Sequence, residues 1–134
     1  MKSQKARKVP LAPDATEHEH QVAFFEWFRY AYPGIIAHAI PNGGHRDIRV
    51  AVKMSREGVL KGAPDLFIAD GRPGMYIEMK KIGGRVSEAQ KTILNKLHEA
   101  GYRVAVCYGW EDAKLAVEFY LKDHYKNGAV KNAK

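Results

Sequence analysis

The amino-acid sequence predicts an α/β domain, a central mixed β-sheet flanked by helices, and three observations carry that expectation. Segments with helical spacing and capping signals alternate with short apolar runs that suit strands. Two of those runs, 65–69 and 75–80, are separated only by the turn-forming Asp70-Gly71-Arg72-Pro73-Gly74, so they read as an antiparallel hairpin. A helical segment then leads to a third main run at 102–108, a connection long enough to return the chain parallel, and right-handed if it does so.

Residues 1–15 mix Lys, Arg, Pro and Ala without periodicity and read as a flexible basic arm. Thr16 to Tyr32 reads as a helix opened by the capping box Thr16/Glu19 and stopped by Pro33-Gly34. At 100° per residue Phe24, Phe25, Phe28, Ala31 and Tyr32 fall on one broad apolar arc, the candidate surface for pairing with a second copy. Glu17 and Gln21 share that arc, which places them either at its exposed end or facing something polar inside.

Ile35–Ile40 is a short strand and Pro41-Asn42-Gly43-Gly44-His45 a loop. Asp47–Glu57 reads as a helix stopped by Gly58, with Arg49, Lys53 and Arg56 on one face and Ile48 and Val52 on another. Ser87–Ala100 is a helix with the capping box Ser87/Gln90 and a core face of Ile93, Leu94 and Leu97. Trp110–Leu121 is the last helix, and residues 122–134 read as a basic C-terminal tail. One domain, 16–121, accounts for the folded part.

Of 134 residues 46% are hydrophobic, which suits a globular core, and the formal charge is +7, which favours a polyanionic partner, nucleic acid being the commonest. The lone Cys107 excludes an internal disulfide and, inside an apolar run, reads as a buried thiol; both suit a reducing cytoplasm. No apolar run is long enough to span a membrane, and the first residues do not read as a signal peptide.

The chemistry concentrates on the hairpin. Asp65 opens its first strand; in the second, Glu78 and Lys80 alternate with Ile77 and Met79 and so project from one face. A carboxylate and an amine on a partly covered face need partners, and Asp65 on the neighbouring strand is placed to be one. Two carboxylates suit a hard divalent ion with oxygen ligands, such an ion activates water for phosphodiester hydrolysis, and a neighbouring Lys orients the nucleophile or stabilises developing charge. The bland account of the same spacing is a surface ion-pair cluster. The basic stripe Arg46, Arg49, Lys53 and Arg56 precedes this region directly; with Asn42, His45, Lys61, Lys81 and Arg85 it makes up the expected DNA-contacting set, which positions a duplex rather than reading bases. His18 and His20, two apart on a helix, face different ways and do not make a shared metal site.

Pro64-Asp65 followed by Glu78-Met79-Lys80 resembles the PD-(D/E)XK nuclease signature. Its context, Gly62-Ala63-Pro64-Asp65-Leu66, Ile77-Glu78-Met79-Lys80, Gly83-Gly84-Arg85-Val86-Ser87-Glu88-Ala89-Gln90, Thr16-Glu17-His18-Glu19-His20-Gln21 and Pro41-Asn42-Gly43-Gly44, resembles the virus-type replication-repair nuclease (VRR-NUC) family over residues 16–121. Ala63 before the Pro-Asp pair and Met79 between Glu and Lys depart from its commonest pattern at positions that tolerate variation.

The resemblance implies a PD-(D/E)XK restriction-endonuclease-like fold and a DNA endonuclease that uses Mg²⁺, with Mn²⁺ able to substitute. Asp65, Glu78 and the Met79 carbonyl would be metal ligands, Lys80 the catalytic lysine and Gln90 a residue lining the site. Glu17 would be the carboxylate of the first helix and a further candidate ligand; Glu19 is its rival, already accounted for by the capping box. Stand-alone members of the family look like homodimers acting on branched DNA, including four-way junctions, in a phage or bacterial setting. A less selective flap or end-processing nuclease and a non-catalytic DNA-binding module are the alternatives. Neither a small-molecule cofactor nor a membrane is expected.

Overall fold

The computed structural model describes residues 10–42, 47–71 and 73–126, the last four through their backbone alone. The elements follow in the order α1 (Glu17–Ala31), β1 (Ile36–Ala39), α2 (Ile48–Arg56), β2 (Leu66–Ala69), β3 (Met75–Lys80), α3 (Glu88–Glu99), β4 (Arg103–Tyr108) and α4 (Trp110–Lys126). The four strands form one sheet in the order β1-β2-β3-β4. β1/β2 and β2/β3 are antiparallel, whereas β3 and β4 are parallel through the α3 crossover. The mixed α/β architecture is the one the sequence predicts.

Alternation along β3 divides the molecule into layers. Met75, Ile77 and Met79 enter a core with Phe24, Phe28, Val117 and Leu121 of α1 and α4. The intervening Tyr76, Glu78 and Lys80 face the side on which α3 lies, where Leu94 is buried. Both faces of β3 are covered, so its polar residues are interior ones. Glu78 is 1% exposed and Lys80 6%.

α1 starts as its capping box dictates: Thr16 Oγ1 accepts from Glu19 N–H, and Glu19 Oε1 accepts from Thr16 N–H. Its apolar arc does not wait for a second copy. Phe24, Phe25, Phe28 and Tyr32 are all buried in the protein's own core, and Ala31 packs at its margin. The expected pairing surface is therefore corrected. One sheet face needs a cover about two helices wide, and α1 and α4 supply it together. Truncating a side chain as enclosed as Phe24 to Ala costs about 3–5 kcal/mol. The large apolar side chains left exposed include Leu115 and Phe119 on α4 and Ile48 and Val52 on α2.

One boundary differs from expectation by more than a residue. α4 runs to Lys126, past Leu121, so the first part of the segment read as a tail is helical. α2, capped by the Asp47 side chain on Arg49 N–H, buries none of its residues. Of the core face expected for α3, Leu94 is buried while Ile93 and Leu97 are half-buried.

Candidate active site

The site lies at the carboxyl end of the parallel pair β3–β4, where β2 begins and α1 begins. Open α/β sheets offer a crevice at such an end. The entry of β2 is irregular. Asp65 N–H donates to the Ile77 carbonyl at 3.0 Å, while the Asp65 carbonyl accepts from Ile40 N–H at 2.8 Å. In a regular strand both groups leave the same edge; here they serve opposite neighbours. Ile77 is also the register partner of Leu66, so two residues of β2 face one of β3, the mark of a bulge. The bulge aims the Asp65 side chain along β3. Its Oδ2 accepts from Met79 N–H at 2.6 Å, and its Oδ1 accepts from Asn42 Nδ2 at 3.3 Å.

Glu78 is held from the opposite side. Gln90, third residue of α3, uses both ends of its amide: Oε1 accepts from Ser87 N–H at 2.8 Å, and Nε2 donates to Glu78 Oε2 at 3.2 Å. The capping bond fixes which end of the amide faces the carboxylate. Lys80 Nζ stands 3.8 Å from Glu78 Oε2 and 3.9 Å from Glu17 Oε2, between a buried and a half-exposed carboxylate. Glu19 stays at the helix start, bonded to Thr16, and those bonds lower its carboxyl below the usual range. Of the two acidic residues on the first turn, Glu17 is the one that reaches the site.

The electrostatics centre on Glu78. Burial pushes its carboxyl up to about 9, aided by the adjacent Asp65 and by Glu17 and opposed by the Lys80 ammonium. Its environment therefore favours the protonated form of the Glu78 carboxyl in the metal-free protein. Once ionised, Glu78 would present an Oε1 that is buried and has no hydrogen-bond donor. A buried oxygen left so is rare and calls for a partner.

A divalent cation fits beside that oxygen by the chemistry of the donors. Asp65 and Glu78 offer carboxylate oxygens. The Met79 carbonyl leaves the same strand edge as the Met79 N–H that meets Asp65, so it belongs to the same set. All are hard oxygen ligands, as Mg²⁺ prefers. Among the described residues no three His, Cys, Asp or Glu side chains gather closely enough to cage a metal alone. A site of two carboxylates and a carbonyl suits an ion that keeps several waters. Glu17 borders the same cleft with its carboxylate engaged by Lys80.

That cleft has a volume of about 720 Å³ and is bordered by Glu17, Asn42, Asp65, Glu78 and Gln90, by the loop around Lys61-Gly62-Ala63, and by Ala51, Val52 and Ser55 of α2. Gly62 shapes its wall: its φ is +87°, and a Cβ there would lie 2.9 Å from the Ala89 backbone.

The expected DNA-contacting residues fall into groups. Lys61 is exposed at the cleft, and Lys81 and Arg85 are exposed just beyond β3. Arg49, Lys53 and Arg56 lie on the face of α2 opposite the one that borders the cleft, so they reach only a partner that extends past it. Asn42 is engaged with Asp65. His45 and Arg46 lie outside the described residues. His20 is structural: its buried ring accepts from Trp110 N–H through Nδ1 at 3.0 Å, capping α4. Its partner lies 90 residues away, and no local signal announces it. The Asn42 and Gln90 links to the carboxylates were equally invisible, although the Ser87/Gln90 capping box marked one end of the second.

Comparison with known proteins agrees with this fold. The VRR-NUC domain model matches residues 15–111. A solved structure titled "VRR_NUC domain protein" superimposes with a TM-score of 0.68 at 29% sequence identity, over 81% of this chain and 90% of that one. No curated protein sequence matches significantly. With the family model covering most of the chain and the mixed sheet flanked by helices in place, the chain belongs to the VRR-NUC family and is a nuclease domain with a PD-(D/E)XK-like fold.

Proposed function

We propose that the protein is a Mg²⁺-dependent endodeoxyribonuclease acting on branched DNA, with Mn²⁺ able to replace Mg²⁺. The observation that carries this is the meeting of Asp65 and Glu78 at one cleft, with the Lys80 ammonium 3.8 Å from Glu78 Oε2 and a buried Glu78 oxygen that lacks any donor. In this reading Asp65, Glu78 and the Met79 carbonyl hold the ion, which when bound activates water and offsets charge on the phosphate. Lys80, kept between Glu17 and Glu78, places a positive charge beside the attacked phosphodiester and orients the nucleophile. Glu17 restrains the Lys80 ammonium and stands as a further ligand. Gln90 holds Glu78. Lys61, Lys81 and Arg85 receive phosphates near the cleft, and Arg49, Lys53 and Arg56 receive a second DNA arm beyond α2, as would His45 and Arg46.

Branched DNA is favoured because cationic surfaces lie on two sides of the cleft and suit more than one arm. A four-way junction needs two symmetric cuts, which a two-fold homodimer would make. The setting is the cytoplasm of a bacterium or an infected host; among the described residues no helix is long and apolar enough to cross a membrane. The test is cleavage of a labelled four-way junction and a matched linear duplex with Mg²⁺, with Mn²⁺ and with chelator. Metal-dependent cutting that favours the junction is expected. Equal cutting of both would retain the nuclease and remove the branch selectivity, and binding without cutting under every metal would leave a DNA-binding module.

A further inference from the structure

We infer that Asn42 is a positioning residue for the Asp65 carboxylate rather than a DNA contact, an inference that rests on the metal-site reading above. The segment after β1 is tied to Asp65 twice. Ile40 N–H donates to the Asp65 carbonyl at 2.8 Å, and Asn42 Nδ2 donates to Asp65 Oδ1 at 3.3 Å. Oδ2 is already taken by Met79 N–H at 2.6 Å. With that bond alone the carboxylate can pivot about its Cβ–Cγ bond; a second donor on the other oxygen fixes its plane. An ionised carboxylate has about four lone-pair sites. Two are used by these donors, one on each oxygen, which leaves one on each oxygen for a cation in the cleft that both Asn42 and Asp65 border.

Asn42 mirrors Gln90. Each is a carboxamide from a separate element that gives one N–H to one acidic residue of the site. Gln90 uses both ends of its amide in this way, and Asn42 turns its NH₂ end to the carboxylate. Asn42 is half-buried, which leaves little of it for a phosphate. Partners that orient a ligating carboxylate typically govern about 10-fold or more in metal affinity.

The experiment compares wild type with Asn42→Ala and the near-isosteric Asn42→Leu, each checked for folding by circular dichroism. Mn²⁺ affinity is measured calorimetrically without DNA, and DNA affinity by fluorescence anisotropy in chelator. Both variants should bind Mn²⁺ about 10-fold more weakly while DNA affinity in chelator stays within about twofold. Unchanged Mn²⁺ affinity overturns the inference, as does a loss of DNA affinity with Mn²⁺ affinity kept, which would make Asn42 a phosphate contact. Wild-type protein that takes up no Mn²⁺ would instead overturn the metal reading of the site, and the inference with it.

Discussion

A divalent ion entering this site has to displace a proton, and the structure sets where on the pH scale that competition ends. Glu78 is 1% exposed, and burial beside Asp65 lifts its carboxyl from 4.5 to about 9. Below about pH 9 the metal-free site holds one proton that the ion must expel, so the apparent metal affinity should rise about 10-fold per pH unit. Between pH 6.5 and 8.5 that amounts to about 100-fold, levelling off above 9. Isothermal titration of Mn²⁺ in buffers of different ionisation enthalpy counts the protons directly, and about one should leave per ion at pH 7.5. The same linkage acts on stability. The folded carboxyl sits above its unfolded value, so its contribution is full below about pH 4.5 and is lost as pH rises toward 9. Glu78→Gln should flatten that slope and abolish metal uptake. Metal affinity that is flat with pH, with no proton released, would show that Glu78 is ionised in the free protein and that its burial is compensated in some other way.

Gly62→Ala should lower stability by about 1–3 kcal/mol in urea denaturation, since φ of +87° and the Ala89 backbone at 2.9 Å both oppose a Cβ. Gln90→Glu keeps an acceptor for Ser87 N–H but turns a carboxylate toward Glu78; it should reduce Mn²⁺ affinity about 10-fold while the melting temperature falls little. Cys107 is 1% exposed and burial pushes its thiol up to about 12, so iodoacetamide at pH 8 should label it only in denaturant; labelling of the native protein would mean that β4 opens.

What the sequence discloses here is local. Both capping boxes sit within a single helical turn, so Thr16/Glu19 and Ser87/Gln90 could be read as written. The hairpin, with strands of alternating character across a Gly-Pro turn, was legible for the same reason, and so was the placing of Glu78 and Lys80 on one face. Patterns that announce an apolar face do not say what covers it. The arc of α1 looked available and is filled by the sheet and α4, whereas α2, as plainly amphipathic, buries nothing. Bonds between distant segments leave no trace in one sequence: Asn42 meets Asp65 across 23 residues, and Gln90 reaches Glu78 because α3 returns over the sheet. The helical start of the segment after Leu121 was hidden by its composition, Lys122-Asp123-His124-Tyr125-Lys126, which has no apolar stripe and extends a helix already nucleated upstream.

The proposed cutting of DNA by Lys80, the paired carboxylates and a metal ion is tested most directly by cleavage of a labelled four-way junction by wild type and Lys80→Ala, with Mg²⁺ and with chelator, alongside DNA binding in chelator. Wild type should cut only with Mg²⁺, and Lys80→Ala should lose about 100-fold or more in rate while binding DNA within about twofold of wild type. A variant that cuts as fast as wild type, or wild-type cutting that persists in chelator, would contradict the account.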